Sequence, residues 1–473
     1  MLGTIKRVHF SGVGGTAMAA AAAAMVEKGY TVTGSDQNVY PPTSTFLEER
    51  HIEVFQGYSE LNVKHRPDLV VIGNALSRGN PEVEAVLEAK IPYCSLPELI
   101  KRSFLQGKRA LVVTGTHGKT TTTSLLAWVF ERSGLNPSFL IGGIPQNLGQ
   151  GARFTDSEWF IIEGDEYDTA FFDKRSKFVH YQPEVAILNN LEFDHADIFE
   201  DLPAIQTSFR HFINLIPRNG LLLANGDDAN VAPLLSIQHC PLQRYGLSET
   251  NDVRAEVRGT DGDSSSSFTV GGSEFRIGMV GEFNVRNALA VVASARHCGL
   301  SDGQIQAGFE SFRGIRRRME VRGVARGVTV VDDFGHHPTA IRETLRALRL
   351  RYPGKRIWAI FEPRSNTTRR SVFQSELVEA MALADGAVVG QVARLEALPP
   401  EQRLDTNKLV EDLVKKGCPS RYLPKVDSIV EHVIRESRDG DVVCVFSNGV
   451  FGHIHKLLLE RLPGTQSAST IRG

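Results

Sequence analysis

The chain has 473 residues, too many for one ordinary hydrophobic core, so a series of domains is expected. Hydrophobic residues make up 41% and charged residues 23%, the balance of a globular protein in water. The formal net charge of -2 leaves no basic footprint for general nucleic-acid binding, and no apolar run approaches the ~20 residues that span a bilayer.

In chain order, residues 5–10 read as a strand that runs into the glycine turn Gly12-Val13-Gly14-Gly15. An alanine-rich helix follows, then a second strand that ends at Gly34-Ser35-Asp36. Residues 68–72 form another strand candidate, followed by the polar loop 73–80, and this block is complete by about residue 106. Strand, turn and helix in alternation imply parallel strands with crossover helices. A second unit opens at Arg109 with a strand over 110–113, and further buried-strand candidates lie at 159–162 and 185–188. Residues 251–280 change to short strands around a Ser/Gly/Asp-rich turn at 261–267, an antiparallel insertion or edge. A third unit begins near Val321, with strands expected over 328–331, 356–361, 386–389 and 441–446, and the polar end 464–473 is expected to fray. The whole reads as three α/β units in series, 1–106, 107–320 and 321–473.

The five cysteines are scattered and form no CxxC pair, so they read as reduced packing residues. With no secretory leader at the N-terminus, the cytoplasm is the expected compartment.

Chemistry is concentrated at strand ends. Thr114-Gly115-Thr116-His117-Gly118-Lys119-Thr120-Thr121 stands between a strand and a helix. Its glycines let backbone N–H groups approach phosphate oxygens, Lys119 can reach a terminal phosphate, and the Thr120 hydroxyl suits Mg²⁺. The acidic run Glu163-Gly164-Asp165-Glu166-Tyr167-Asp168 places four carboxylates in six residues, a cluster that asks for cations. The run from Asn189 to Asp197 carries His195 among carboxylates, a candidate ligand for a second metal. Asn284 and Asn287 share one face at the start of a helix, and Arg316-Arg317-Arg318 could clamp phosphate. In Asp332-Asp333-Phe334-Gly335-His336-His337-Pro338, adjacent histidines make an unpromising metal pair. Gly12-Val13-Gly14-Gly15 with Asp36 admits a dinucleotide dehydrogenase, yet the same turn can hold any diphosphate, and a separate phosphate loop has no place in a simple dehydrogenase.

Taken in order, these motifs resemble the Mur ligase family, and the resemblance covers nearly the whole chain. It implies a Rossmann-like UDP-binding domain, a P-loop-type central ATPase domain and a Rossmann-like C-terminal domain. Within the family, the His-Phe-x-Gly-x-Gly-Gly opening and Asp-Asp-x-Gly-His-His-Pro are similar to the UDP-N-acetylmuramate ligases. The stretches Asn38-Val39-Tyr40-Pro41-Pro42, 73–81, 167–181 and 361–367 look like the members that add the tripeptide L-alanyl-γ-D-glutamyl-meso-diaminopimelate in peptidoglycan recycling, rather than those that add L-alanine. That resemblance implies ATP and Mg²⁺ as cofactors and UDP-N-acetylmuramate and the tripeptide as substrates.

Carried over residue by residue, Lys119, Glu163 and His195 would be catalytic, with Thr120, Glu163 and His195 holding metal. Gly115, Thr116, His117, Gly118, Lys119, Thr120, Thr121, Asn284, Asn287, Arg318 and Asp333 would hold ATP. Gly12, Gly14, Gly15, Ser35, Asp36 and Asn74 would face the UDP-sugar, and Arg364, Asn366 and Thr367 the peptide. Two departures stand out. Gly164 replaces an alanine common in the acidic motif, and no lysine lies between His195 and Lys355 to serve as the carbamylated lysine of several members. The competing readings are the alanine-adding ligase, the dehydrogenase and a non-catalytic nucleotide-binding regulator.

Overall fold

A computed structural model describes residues 5–40, 43–236, 239–261 and 265–462. Pro41-Pro42, the centre of the 261–267 turn and the polar end 464–473 lie outside the described residues. Among the described residues, no helix is long and apolar enough to cross a membrane.

The first sheet is wholly parallel, in the spatial order Glu53–Gln56, Thr31–Asp36, Arg7–Ser11, Leu69–Ile72, Tyr93–Ser95. Its strand order reverses between Arg7–Ser11 and Leu69–Ile72, so a crevice opens there at their carboxyl ends. The glycine turn leaves the first of these strands and Gly73-Asn74 the second. The central sheet has eight strands in the order Val253–Arg254, Leu242–Gly246, Leu221–Asn225, Val185–Leu188, Arg109–Thr114, Trp159–Glu163, Ser138–Leu140, Ala152–Arg153. All its pairings are parallel except the last. The expected antiparallel insertion is a three-stranded sheet of Glu256–Asp261, Ser265–Val270 and Ser273–Ile277. The third sheet runs Glu320–Ala325, Val328–Asp333, Val442–Phe446, Ile357–Phe361, Gly386–Val389, Ser420–Tyr422, antiparallel only at its first pair. A division between residues 320 and 321 therefore falls inside a strand, because Glu320 already pairs with Asp332.

Runs such as Val185–Leu188 and Ile357–Phe361 are apolar without alternation because helices cover both faces of a parallel sheet. The helix Thr16–Glu27 is buried at every position from Met18 to Met25. It lies between the first and central sheets, in one core that joins Val8 and Phe10 to Ala110, Val112, Phe160 and Ile162. Small alanine side chains allow that double approach, and a helix covered on all sides has no need of a polar face. The result places the site loops of all three sheets at strand carboxyl ends. The short strands Glu53–Gln56, Tyr93–Ser95 and Ser420–Tyr422, together with Leu221–Asn225 and Leu242–Gly246, were not separable from their surroundings by sequence pattern.

Two side-chain details determine how these ends are held. Asp227 accepts from Leu247 N at 2.7 Å, Ser248 N at 3.1 Å and Asn251 Nδ2 at 2.8 Å, and lies 3.4 Å from Arg286 Nε. Burial opposes its charge, but these donors pull its carboxyl from 3.8 down to about 2. Gly164 continues the ladder beyond Glu163, donating to Val113 O at 2.8 Å, and an added Cβ would sit 2.6 Å from Thr114 Cγ2. An alanine does not fit here without a shift of the Thr114 and Val112 side chains.

Asp227 has a folded pKa below its unfolded one, so its stabilisation is full above about pH 4 and fades as pH falls toward 2. Melting curves should show Asp227→Asn below wild type by a constant gap from pH 7 to 4, and a narrowing gap below pH 4. Gly164→Ala should cost about 1–3 kcal/mol through overpacking, measurable as a lowered denaturation midpoint.

Candidate active site

The phosphate loop takes its shape from the neighbouring strand. Gly115 and Gly118 have φ of +123° and +79°, and a Cβ on Gly118 would stand 2.4 Å from Asn287 Oδ1. Thr116 N donates to Asn190 O at 3.1 Å, His117 N to Asn190 Oδ1 at 2.7 Å, and Glu192 N to Thr116 Oγ1 at 2.9 Å. The loop after Val185–Leu188 is thus the floor on which the phosphate loop rests. The helix Lys119–Arg132 starts with no side-chain cap, leaving its first N–H groups facing the cleft.

Lys119 is 8% exposed and Glu166 3% exposed. Lys119 Nζ donates to Glu166 Oε2 at 2.7 Å and Gly115 O at 2.6 Å, and Glu166 Oε1 lies 3.1 Å from His195 Nε2. Burial opposes the Lys119 charge, but the Glu166 and Asp165 carboxylates raise its pKa above the ordinary value. Burial likewise opposes the charge of Glu166, yet Lys119 and His195 hold its carboxyl below the usual range. His195 is raised in turn, Glu166 and Asp194 outweighing its burial. Sequence reasoning placed Glu166 in the acidic loop without singling it out, since spacing cannot tell which of four carboxylates turns inward.

Glu163 accepts from Thr120 Oγ1 at 2.9 Å and from Gly142 N at 2.7 Å. Burial and the nearby Asp165 raise its pKa, outweighing Gly142, Lys119 and Thr120, which lower it. Thr120, Glu163 and Asp165 offer hard oxygen donors, which fit Mg²⁺.

Two cavities meet at this point. One of about 960 Å³ runs from His117 and Lys119 past Asn284 and Asn287 to Asp333 and His336. The other, about 640 Å³, runs from Thr16, Gly73 and Asn74 to Arg316 and Arg322. Thr120, Glu163, Asp165 and Arg318 line both. Asn284 Nδ2 donates to Val280 O at 2.9 Å, and Asn287 Oδ1 accepts from Thr122 Oγ1 at 3.2 Å, so both asparagines are fixed inside the wall of the larger cavity. Neither caps the helix Glu282–His297, whose N-cap is Gly281. Thr121 also lines that cavity.

In the third domain, Asp333 accepts from Met319 N at 2.8 Å and Gly335 N at 2.7 Å, and burial raises its pKa. The arginine triplet divides its work. Arg317 donates to Ser447 O at 2.6 Å and Gly449 O at 2.8 Å and lines only the smaller cavity, while Arg318 lines both; each lies 5.2 Å from the Phe334 ring. The two adjacent histidines separate: His336 Nδ1 meets Phe334 O at 3.2 Å, whereas His337 joins His117 and Glu192 in a cluster with ligand atoms within 4.8 Å. Both ring nitrogens of His337 are engaged there. Nδ1 accepts from Thr339 N at 3.2 Å and Nε2 meets Phe193 O at 3.2 Å, so the cluster serves as a joint between domains.

The residues expected at the peptide lie where the third domain meets the central one. Thr367 is buried and donates to Asp194 Oδ1 at 2.7 Å, and Asn366 Nδ2 donates to Asp197 Oδ2 at 2.6 Å. Both are engaged in docking the third domain on the His195 loop, because that loop presents carboxylates to them. Arg364 stays exposed, 3.6 Å from Glu362. In the first domain, Gly14 N donates to Asp36 Oδ2 at 2.9 Å. Gly12 N and Val13 N donate to Ser35 O at 2.8 and 3.0 Å. Ser35 itself does not face the crevice: it is fully buried and its Oγ donates to Glu82 at 2.6 Å. Gly15 is exposed at the start of the helix Thr16–Glu27.

Comparison with known proteins agrees with this arrangement. Residues 7–106 match the Mur ligase family catalytic domain, 113–295 the Mur ligase middle domain and 317–449 the Mur ligase glutamate ligase domain. The UDP-N-acetylmuramate–L-alanyl-gamma-D-glutamyl-meso-2,6-diaminoheptandioate ligase of Escherichia coli (strain K12) is 43% identical, covering 96% of this chain and 98% of its own. The UDP-N-acetylmuramate–L-alanine ligase of Acetivibrio thermocellus is 33% identical, covering 96% of each. The crystal structure of a murein peptide ligase from Psychrobacter arcticus superposes with a TM-score of 0.72 at 35% identity, over 99% of this chain and 100% of that one. The chain belongs to the Mur ligase family: it is a three-domain α/β, ATP-dependent amide-bond ligase.

Proposed function

We propose that this ligase joins L-alanyl-γ-D-glutamyl-meso-diaminopimelate to the carboxylate of UDP-N-acetylmuramate, with ATP and Mg²⁺, in the cytoplasmic recycling of peptidoglycan. The observation that carries the reading is the wall shared by the two cavities. A nucleotide on the Lys119 side and a sugar carboxylate on the Asn74 side would meet at Thr120, Glu163 and Asp165. The choice of peptide over alanine is supported by the 43% identity to the E. coli peptide ligase against 33% to the alanine ligase. We assign residues 1–106 to the UDP-sugar, 107–316 to ATP and, with the boundary moved ahead of the strand Glu320–Ala325, the residues from 317 onward to the peptide.

A carboxylate is a poor electrophile, so the γ-phosphoryl group of ATP is first transferred to it, giving an acyl phosphate and ADP. The peptide's terminal amine then attacks the acyl carbon, the new C–N bond forms, and inorganic phosphate leaves with the acyl C–O bond broken. Phosphoryl transfer demands positioning and charge neutralisation more than covalent help. The first N–H groups of the helix Lys119–Arg132 and the Lys119 ammonium receive the phosphates. Thr120 and Glu163 would hold one Mg²⁺ and His195 a second, which supply neutralising charge when bound. Arg318 and Asp333 close the nucleotide cavity from the third domain, and Arg364, exposed beside Glu362, is placed to meet an incoming carboxylate.

Lys119→Ala should reduce kcat by about three orders of magnitude or more, read by phosphate release. Its melting temperature should also fall, since Glu166 would be left buried beside a vacated ammonium. Near-normal turnover in that variant would exclude the mechanism. With ATP, Mg²⁺ and UDP-N-acetylmuramate, phosphate release should require the tripeptide. Release with free L-alanine alone would assign the alanine-adding reaction instead.

A further inference from the structure

Beneath the glycine turn lies a charged cluster that the ligation chemistry does not use. Glu82 and His9 are both fully buried, with His9 Nε2 3.1 Å from Glu82 Oε1. The same oxygen accepts from Ser35 Oγ at 2.6 Å and from Ser11 Oγ, and Glu82 Oε2 accepts from Asn62 Nδ2 at 2.7 Å. The far side of the imidazole is fixed too, Nδ1 lying 2.8 Å from Thr33 Oγ1. A carboxylate buried with its partners contributes little more to stability than well-packed apolar residues of the same volume. Four donors converging on one carboxylate therefore point to control of position.

What they position is the crevice wall. Ser11 immediately precedes Gly12, and Ser35 is the residue whose carbonyl receives Gly12 N and Val13 N. Asn62 Nδ2 also donates to Gly57 O at 2.9 Å, and Gly57 N in turn donates to Asp36 O at 2.8 Å. Glu82 itself stands in the first turn of the helix Pro81–Glu88, directly after the Asn74 loop. One carboxylate thus ties together four segments that surround the crevice.

We propose that Glu82 is the positioning residue of the donor site, its carboxylate setting the shape of the Gly12–Gly15 turn that receives the diphosphate of a UDP-sugar. This rests on the UDP-sugar reading above. Removing the charge while keeping the volume, as in Glu82→Gln, loosens the turn without touching the ATP or peptide sites.

The test is calorimetric titration with UDP-N-acetylmuramate and steady-state kinetics on the full chain, for wild type, Glu82→Gln, Ser35→Ala and Val86→Ala. Val86 is buried on the same helix in an apolar cluster with Val63, Val70 and Ile91, so it reports simple destabilisation. Glu82→Gln should raise Kd and KM for the sugar nucleotide about tenfold, leaving KM for ATP and tripeptide and kcat within about twofold. Ser35→Ala, which loses one donor and decides the matter should Glu82→Gln not fold, should shift the same constant about threefold. Val86→Ala should lower the melting temperature and leave that KM unchanged. Sugar-nucleotide affinity within twofold of wild type in both polar variants, or a parallel rise in all three KM values, would overturn the proposal alone. Wild-type protein that does not bind UDP-N-acetylmuramate would overturn the donor reading together with it.

Discussion

At the centre of the molecule, Glu166 stands 2.7 Å from Lys119 and 3.1 Å from His195, almost without solvent. A carboxylate buried in that position is tenable only while its partners Lys119 and His195 remain, and the buried Lys119 ammonium is tenable only beside it. The three side chains come from three loops at the ends of three adjacent strands, Arg109–Thr114, Trp159–Glu163 and Val185–Leu188. Their mutual dependence fixes the spacing of those loops. It holds the phosphate-loop lysine next to the acidic loop, where burial and Asp165 raise the pKa of Glu163.

The loop from Asn189 to Asp197 has a second task. Its first half supports the phosphate loop through Asn190 and Glu192, and its second half seats the third domain. Thr339 Oγ1 donates to Glu192 at 2.7 Å, Thr367 to Asp194 and Asn366 to Asp197. A shift of the third domain is therefore felt at His195, which lies between Asp194 and Glu166. Docking and the arrangement of catalytic groups share the same short stretch of backbone, and this is the physical basis for coupling substrate capture in the outer domains to chemistry in the middle one.

Much of this is legible in the sequence alone. Strand-turn-helix order announced parallel sheets, GxGG and GTHGKT announced anion-binding turns, and the four carboxylates after residue 162 announced a need for cations. These signals are local: a glycine with positive φ, a helix N-terminus and a run of like charge each act through a few consecutive residues. The antiparallel insertion was equally local, marked by its change in pattern. Short strands such as Glu53–Gln56 and Ser420–Tyr422 were hidden because they are recruited by pairing, with little pattern of their own.

By itself, then, the sequence determined three α/β units, the identity of the phosphate and acidic loops, and the presence of His195 among carboxylates. Only the tertiary structure decided which carboxylate turns inward to Lys119, that Arg317 braces the third sheet while Arg318 lines both cavities, and that Thr367 and Asn366 dock domains. It also turned Ser35 away from the crevice and onto Glu82, 47 residues distant along the chain. The physical reason is the same in each case. Burial and hydrogen-bond direction depend on which strand ends lie side by side, and neighbours in a parallel sheet are brought together by crossovers that no local spacing records.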